Sequence, residues 1–217
     1  MSRRNELLRA ARGPGDLTTR LYASAAWAYL AAGYSPLPLP PGQKWPPPKG
    51  WTGAGAPMAG PEQVRRWIRS DPGGNIALRL PEDVIGIDLD LYPDPSKDHP
   101  AVERLAAWDA LVSSLGPLPE SPRATSRNDG ISGIRLYRVP AGWKAAGILP
   151  AAPVCLGHPL LDGREARPGD LVSPGEVIQH HHRYLVAPPS VHPSGRRYRW
   201  HDGNLPAVST LPLLERP

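Results

Sequence analysis

The chain has 217 residues, the size of one domain or of one domain with two lobes. Its single cysteine, Cys155, excludes an intramolecular disulfide and a zinc site built from several cysteines. The formal net charge is +5 and 21 of the 25 basic residues are arginine, which favours polyanionic partners. With no long apolar run and no apolar leader near the start, we expect a cytoplasmic protein without membrane contact.

The 30 prolines and 22 glycines predict short elements joined by many loops. The predicted elements are, in chain order, a helix over 17–32, a strand over 34–39, a helix over 61–70, strands over 75–80 and 84–90, a helix over 99–115, and strands over 122–126, 133–139, 176–180, 183–189 and 197–202. Asp16 or Thr18 is the predicted cap of the first helix. Residues 141–173 are predicted to form one long connection.

This order of elements predicts an α+β (mixed α/β) fold. We expect a flexible N-terminus over 1–16, one domain over 17–205 and a C-terminal tail over 206–217.

The strand over 84–90 ends in two acidic residues. Strand alternation places its apolar side chains on one face, namely Ile85, Ile87 and Leu89. Asp88 and Asp90 share the other face, where two carboxylates repel unless a cation lies between them. Mg²⁺ or Mn²⁺ suits such a pair, although a strand end that runs into solvent has the same pattern. Glu176 opens a further alternating strand and is the candidate third carboxylate.

A turn of small residues leads into a basic strand near residue 133. Ser132 and Gly133 belong to this turn, and Arg135 shares a strand face with Gly133 and Tyr137. Exposed backbone N–H groups beside a guanidinium can bind phosphate oxygens. An ordinary hairpin turn with a surface arginine has the same pattern.

The segment over 180–200 is rich in histidine, arginine and aromatic residues. Its three consecutive histidines cannot all point to one face of a strand, which disfavours zinc. Basic and aromatic side chains together suit the backbone and bases of a nucleic acid. The candidate contacts are Arg183, Tyr184, Arg196 and Arg197. A solvated hairpin whose aromatic residues pack on the core is the alternative.

These segments, in this order, resemble the bifunctional DNA primase/polymerase N-terminal (prim-pol) domain of the archaeo-eukaryotic primase superfamily. The resemblance runs from about residue 21 to residue 200. It rests on the strings GYSPLPLPPGQKWPPPKGW, PEQVRRWIRSDPGGNIALRL, GIDLD, SGIRLYRVP and APPSVHPSGRRYRW. The last string is long and specific.

The resemblance implies a two-lobed fold in which an RRM-like sheet holds the active site. It implies template-directed nucleotidyl transfer, in which primers or DNA are made from nucleoside triphosphates on a single-stranded DNA template. Asp88 and Asp90 match the paired ligands of two divalent ions, Mg²⁺ or Mn²⁺, and Glu176 is our choice for the third carboxylate.

The resemblance also suggests residues that bind the nucleotide. Arg135 falls where the family commonly has a histidine that contacts the triphosphate, and arginine can bind phosphate equally well. Lys44 matches a family lysine and is assigned to phosphate or to the template. Ser190 and His192 lie in the signature hairpin, where they either contact the nucleotide or shape the loop.

Two other functions remain open at this point. Because Arg135 replaces a histidine, the chain could be a non-catalytic single-stranded nucleic-acid or nucleotide-binding protein on the same scaffold. The acidic residues would also suit a metal-dependent nuclease. The sequence has no G-x-x-x-x-G-K-[ST] loop, so we expect any unwinding to come from a separately encoded helicase.

Overall fold

The computed structural model describes residues 20–143, 154–159 and 171–215. Within these ranges it contains three α-helices and nine β-strands, which confirms the α+β class. The helices are α1 (Leu21–Ala31), α2 (Pro61–Ser70) and α3 (Ala101–Leu115). The strands are β1 (Ser35–Leu39), β2 (Asn75–Arg79), β3 (Val84–Leu89), β4 (Arg123–Thr125), β5 (Gly133–Arg138), β6 (Val154–Pro159), β7 (Leu171–Ile178), β8 (Leu185–Ala187) and β9 (Arg199–Trp200). No helix in these ranges has the length and apolar character needed to cross a membrane.

The strands form two antiparallel sheets. The smaller sheet has the order β1-β2-β8, and the larger has the order β6-β7-β3-β5-β4-β9. The four strands β7-β3-β5-β4, counted along the chain from β3, have the order 4-1-3-2, with α3 between the first and second of them. This is the strand order of an RRM, so the larger sheet is RRM-like.

Two hydrophobic cores lie on the two faces of the larger sheet. Val84 and Ile134 belong to the core shared with α1 and the smaller sheet. Ile85 and Ile87 belong to the second core, against which Trp108 of α3 packs. The alternation predicted along β3 is therefore confirmed, because neighbouring residues enter different cores.

Most predicted elements agree with the structure to within about two residues at each end. The helix α2 has the predicted ends, and α3 begins at Ala101, slightly later than predicted. The helix α1 is described from Leu21 onward. Its predicted caps, Asp16 and Thr18, and the predicted flexible segment 1–16 lie outside the described residues.

The long connection predicted over 141–173 is wrong in part, because it contains β6 and the start of β7. The strand β7 begins at Leu171 and runs through Pro174 and Gly175, two residue types that are rare inside strands. The carbonyl of Pro174 accepts a hydrogen bond from the N–H of Asp90 at 2.9 Å. Pairing with β3 and β6 therefore overrides the local preference of this segment.

Residues 206–215, for which the sequence predicts a tail, lie against the rest of the domain. A 3₁₀-helix spans Val208–Thr210, and the N–H of Val208 donates to the carbonyl of Ala32 at 2.8 Å. Leu211 is buried in the core that the two sheets share. This segment therefore covers the end of α1.

Gly175 in β7 allows β7 to approach β3 closely, so we expect a larger residue at this position to destabilise the protein. A Cβ atom at Gly175 would lie 1.8 Å from the carbonyl oxygen of Asp88. Gly175→Ala must push the strands apart, so we expect the free energy of unfolding in urea to fall by at least about 2 kcal/mol. Gly55→Ala is the control, because nothing lies within 4 Å of its added methyl group. Equal losses in the two variants would contradict the close approach.

Candidate active site

A cleft of about 1180 Å³ opens between the two sheets. The larger sheet contributes Asp88 and Glu176, and the connections between strands contribute charges of both signs. The Asp, Glu, Lys and Arg residues of the lining are Lys44, Asp88, Asp90, Asp94, Lys97, Asp98, Arg104, Glu176 and Arg183. All three carboxylates selected from the sequence therefore line one cavity.

Asp88 and Glu176 are direct neighbours across two strands. The register of β3 and β7 pairs Asp88 with Glu176, and residues paired in this way have side chains on the same face. Asp90 follows the end of β3 and is held beside β7 by its hydrogen bond to Pro174. The backbone thus positions the acidic cluster on the sheet.

The pKa of Asp88 is raised to about 7. Burial is the largest cause, and the negative charges of Asp90 and Glu176 add to it, whereas Lys97 and Lys44 act in the opposite direction. A buried and crowded carboxyl group gains from any added positive charge, because that charge stabilises its ionised form. The electrostatics of the cleft therefore favour a cation.

Two basic side chains contact the other two carboxylates directly. The Nζ atom of Lys97 lies 2.6 Å from Oδ2 of Asp90, and the Nε atom of Arg183 lies 3.0 Å from Oε2 of Glu176. The Lys97 and Asp90 side chains are 38% and 28% exposed. Partly exposed ion pairs of this kind are weak, so these partners can be exchanged at small cost.

The acidic cluster suits a divalent ion by its chemistry, because Mg²⁺ and Mn²⁺ prefer carboxylate oxygens. In the part of the chain that the structure describes, no three His, Cys, Asp or Glu side chains form a group ready to hold a metal. Asp90 and Glu176 contact Lys97 and Arg183 instead. The donor set fits a metal, provided that these two basic side chains move aside.

A buried arginine organises the loop that follows Asp90. Arg104 in α3 is 2% exposed, and its guanidinium donates to the backbone carbonyls of Asp90, Tyr92 and His99. These hydrogen bonds hold the loop from both ends. Arg104 was not predicted as a site residue, because a helical pattern does not distinguish a buried arginine from an exposed one.

Arg135 does not face the acidic cluster, contrary to the role in phosphate binding predicted for it. In the register of β3 and β5, Asp88 pairs with Ile134, whereas Arg135 pairs with Ile87. Arg135 therefore lies on the opposite face of the sheet, where burial and the charge of Arg123 lower its pKa. The position of β5 that faces the cleft is the apolar Ile134.

Ser132 and Gly133, also predicted to bind phosphate, make backbone contacts instead. The Oγ atom of Ser132 is buried and accepts the N–H of Leu91 at 3.0 Å. Gly133 has φ +126°, and a Cβ atom there would lie 2.6 Å from the carbonyl oxygen of Ala124. These two residues join the end of β3 to the start of β5 and do not belong to the cleft lining.

The structure brings Lys44 and Tyr184 together at the rim of the cleft. The Oη atom of Tyr184 donates to the carbonyl of Lys44 at 2.8 Å. His192 lies nearby, and its pKa falls to about 4, first through burial and then through the charges of Lys44, Arg127 and Arg196. The His192 ring is therefore neutral near pH 7 and stands among cations.

The signature hairpin over 187–200 is anchored through a buried serine. The Oγ atom of Ser190 accepts the N–H of Ile76 at 2.8 Å, so Ser190 shapes the loop. Arg196 and Arg197 are exposed near the turn of the hairpin. This arrangement leaves both guanidinium groups accessible to a polyanion.

Lys97 is a cleft residue that the sequence analysis missed. The chain has four lysines among its 25 basic residues, and two of them, Lys44 and Lys97, line the cleft. The scarcity of lysine in an arginine-rich chain was a usable signal. The loop after the acidic strand was the second signal, because a cation there lies next to the carboxylates.

Comparison with known proteins identifies the family. The model of the family "bifunctional DNA primase/polymerase, N-terminal" matches residues 26–217, so the chain belongs to this Prim-Pol family. The resemblance drawn from the sequence motifs is confirmed. At the level of the family, membership supports a nucleotidyltransferase of the primase/polymerase type. The chain matches no curated protein and no solved structure.

The raised pKa of Asp88 predicts a pH-dependent stability in metal-free buffer. The pKa of its carboxyl group is ordinarily 3.8 and is about 7 in the folded state. Between these two pH values the folded state therefore binds the proton more tightly than the unfolded state does. The stabilisation of the folded state by this bound proton is complete below about pH 4 and is lost as the pH rises through 7. We expect the free energy of unfolding to fall by roughly 2–4 kcal/mol over this range. Chemical denaturation in EDTA at several pH values measures it.

Asp88→Asn should flatten this profile, since the amide does not titrate. Asp83→Asn is the matched control, because Asp83 lies at the surface beside Arg138. It should keep the wild-type slope. If the Asp88→Asn and wild-type profiles were parallel, the electrostatic account of the acidic cluster would be wrong.

Arg104→Met should destabilise the protein and loosen the loop over 90–99. The substitution leaves backbone carbonyls without their charged donor, so we expect a loss of about 2–4 kcal/mol and faster amide exchange in that loop. Arg138→Met is the control, because Arg138 lies 3.6 Å from Asp83 at the surface and should cost less than about 1 kcal/mol. Unchanged exchange in the loop of Arg104→Met would count against the anchoring role.

Proposed function

We propose that this protein performs template-directed nucleotidyl transfer and makes primers or DNA from nucleoside triphosphates on single-stranded DNA. The observation that carries the proposal is the convergence of Asp88, Asp90 and Glu176 in a cleft with basic walls. Membership of the Prim-Pol family supports the same reaction class.

We assign the binding of two divalent ions, Mg²⁺ or Mn²⁺, to Asp88, Asp90 and Glu176. When bound, such ions stabilise the attacking and leaving oxygens in phosphoryl transfer. The donor type and the raised pKa of Asp88 support the assignment, because both favour added positive charge at this point.

Lys44, Lys97 and Arg183 are the chain's own candidates for binding the triphosphate. Lys97 and Arg183 contact the carboxylates, and Lys44 is near enough to lower the pKa of Asp88. Ammonium and guanidinium groups both bind phosphate oxygens through charged hydrogen bonds. Once released from the carboxylates, Lys97 and Arg183 can neutralise a triphosphate in the same cleft.

In the proposed reaction, a primer 3′-hydroxyl, or that of a first nucleotide during priming, attacks the α-phosphorus of the incoming nucleotide. A new oxygen–phosphorus bond forms, and the bond from the α-phosphorus to the oxygen bridging to the β-phosphate breaks. Pyrophosphate leaves, and the hydroxyl proton passes to solvent. Negative charge accumulates on the departing pyrophosphate, and the three basic side chains stabilise that charge.

We assign the template strand to the basic and aromatic hairpin beside the cleft. Arg196 and Arg197 are exposed for phosphate contacts, and Arg183 and Tyr184 line the adjoining wall. A separately encoded helicase and a cytoplasmic location stay as predictions from the sequence.

Primer extension with purified protein tests the proposal. We expect labelled product from wild type with Mn²⁺ or Mg²⁺. Asp88→Asn and Asp90→Asn should lower the rate by at least about 100-fold, because each removes a ligand of ions that lower the barrier by several kcal/mol. Asp83→Asn is the matched control and should keep the wild-type rate, since Asp83 is not part of the cleft lining.

The same gel separates the alternatives. A shortened primer would indicate the nuclease. Tight DNA binding without product would favour the non-catalytic binding protein, which the apolar Ile134 opposite Asp88 would then help to explain. Wild-type rates in Asp88→Asn and Asp90→Asn would refute the assigned site.

A further inference from the structure

The proline-rich loop after β1 carries two tryptophans with different environments. Trp51 packs against Trp67, with ring centroids 4.9 Å apart. Trp45 lines the cleft, yet its side chain is 72% exposed. All seven tryptophans lie in the described ranges, and the next most exposed, Trp27, is 42% exposed.

The backbone next to Trp45 is held firmly in place. The buried Asn75 donates to the carbonyl of Gln43 at 2.8 Å, and Tyr184 donates to the carbonyl of Lys44 at 2.8 Å. The N–H of Gln43 also closes a turn onto Pro40. The backbone that leads into Trp45 is therefore fixed, and the exposure of its indole does not result from a loosely held loop.

Positive charge lies beside this indole. Lys44 precedes it directly, and Lys44, Arg127 and Arg196 all act on the ring of His192. An exposed aromatic face beside a row of cations is suited to single-stranded nucleic acid, whose bases stack while its phosphates bind the cations. A protein partner would instead need a continuous apolar surface, whereas the cleft that Trp45 lines also contains the charged residues Lys44, Lys97 and Arg183.

We propose that Trp45 is a stacking platform for an unpaired nucleobase of a single-stranded polynucleotide in the cleft. This inference rests on the proposed function, because it assigns the template-side contact of the same site. It adds a residue that binds bases without regard to their sequence, since every base has a face that can stack.

Equilibrium binding of fluorescein-labelled oligothymidine tests the stacking contact. The probe is about 15 nucleotides long, and EDTA is present so that metal binding plays no part. We expect Trp45→Ala to weaken binding by about tenfold to 100-fold and Trp45→Phe to retain most of the affinity. Trp27→Ala is the matched control, because Trp27 lies on α1 beside Arg65 and outside the cleft lining. It should stay within about twofold of wild type.

An abasic oligonucleotide of the same length separates base stacking from phosphate binding. We expect wild type to bind it more weakly than oligothymidine, and Trp45→Ala to bind both with the same affinity. A Trp45→Ala protein that matches wild type, or that loses the same factor on both probes, overturns the stacking role. Thermal melting of each variant checks that it is folded.

Failure here is distinguishable from failure of the proposed function. Wild-type primer extension that depends on Asp88, together with unchanged DNA binding by Trp45→Ala, would refute only the stacking role. Absence of binding to oligothymidine by wild type would also refute the stacking role, and primer extension would then decide the enzymatic proposal separately.

Discussion

The close pairing of β3 with β7 is the constraint on which the site depends. Gly175 lets the backbone of β7 approach the carbonyl of Asp88, and the next residue, Glu176, is thereby placed directly opposite Asp88. The same approach allows Pro174 to accept the N–H of Asp90. Three backbone contacts in consecutive residues thus gather three carboxylates, at an electrostatic cost that the hydrogen bonds and the packed cores must offset.

That cost explains the basic side chains around the cluster. Lys97 and Arg183 each contact one carboxylate, and Lys44 adds a more distant positive charge. Within the described residues, the cluster is therefore nearly neutral as it stands. On the proposed function, metal ions and a nucleotide triphosphate enter with opposite charges, so exchanging ion-pair partners keeps the cleft close to neutral throughout. Weak, partly exposed ion pairs permit such an exchange, whereas fully buried ones would resist it.

The sequence predicted the acidic strand well because alternation along one strand is a local property. The residue of β5 that lies opposite Asp88 is set by the register between the two strands, which is not a local property. A shift of one residue in this register moves a side chain to the other face. Arg135 was assigned to the site from its neighbouring turn and the family resemblance, although Ile134 is the residue that faces the site. The strand β6 and the first part of β7 were missed because tertiary pairing stabilises a segment that contains proline and glycine. Arg104 and Lys97 owe their roles to side-chain contacts with the loop that follows β3, and hydrophobic periodicity does not indicate such contacts.

The sheet holds two of the carboxylates of the site, and the connections between strands hold its basic side chains. Asp88 and Glu176 stand on paired strands, where the register leaves their backbone little freedom to move. Lys44, Lys97 and Arg183 lie in the connections after β1, β3 and β7, and Arg183 adopts φ +64°, a conformation uncommon outside glycine. Rigid carboxylates suit groups that must keep a fixed geometry, and basic side chains on loops suit groups that must change partners. Among the described residues, β5 contributes the apolar Ile134 and no cation to the cleft lining, so the proposed reaction depends on the loop cations Lys97 and Arg183.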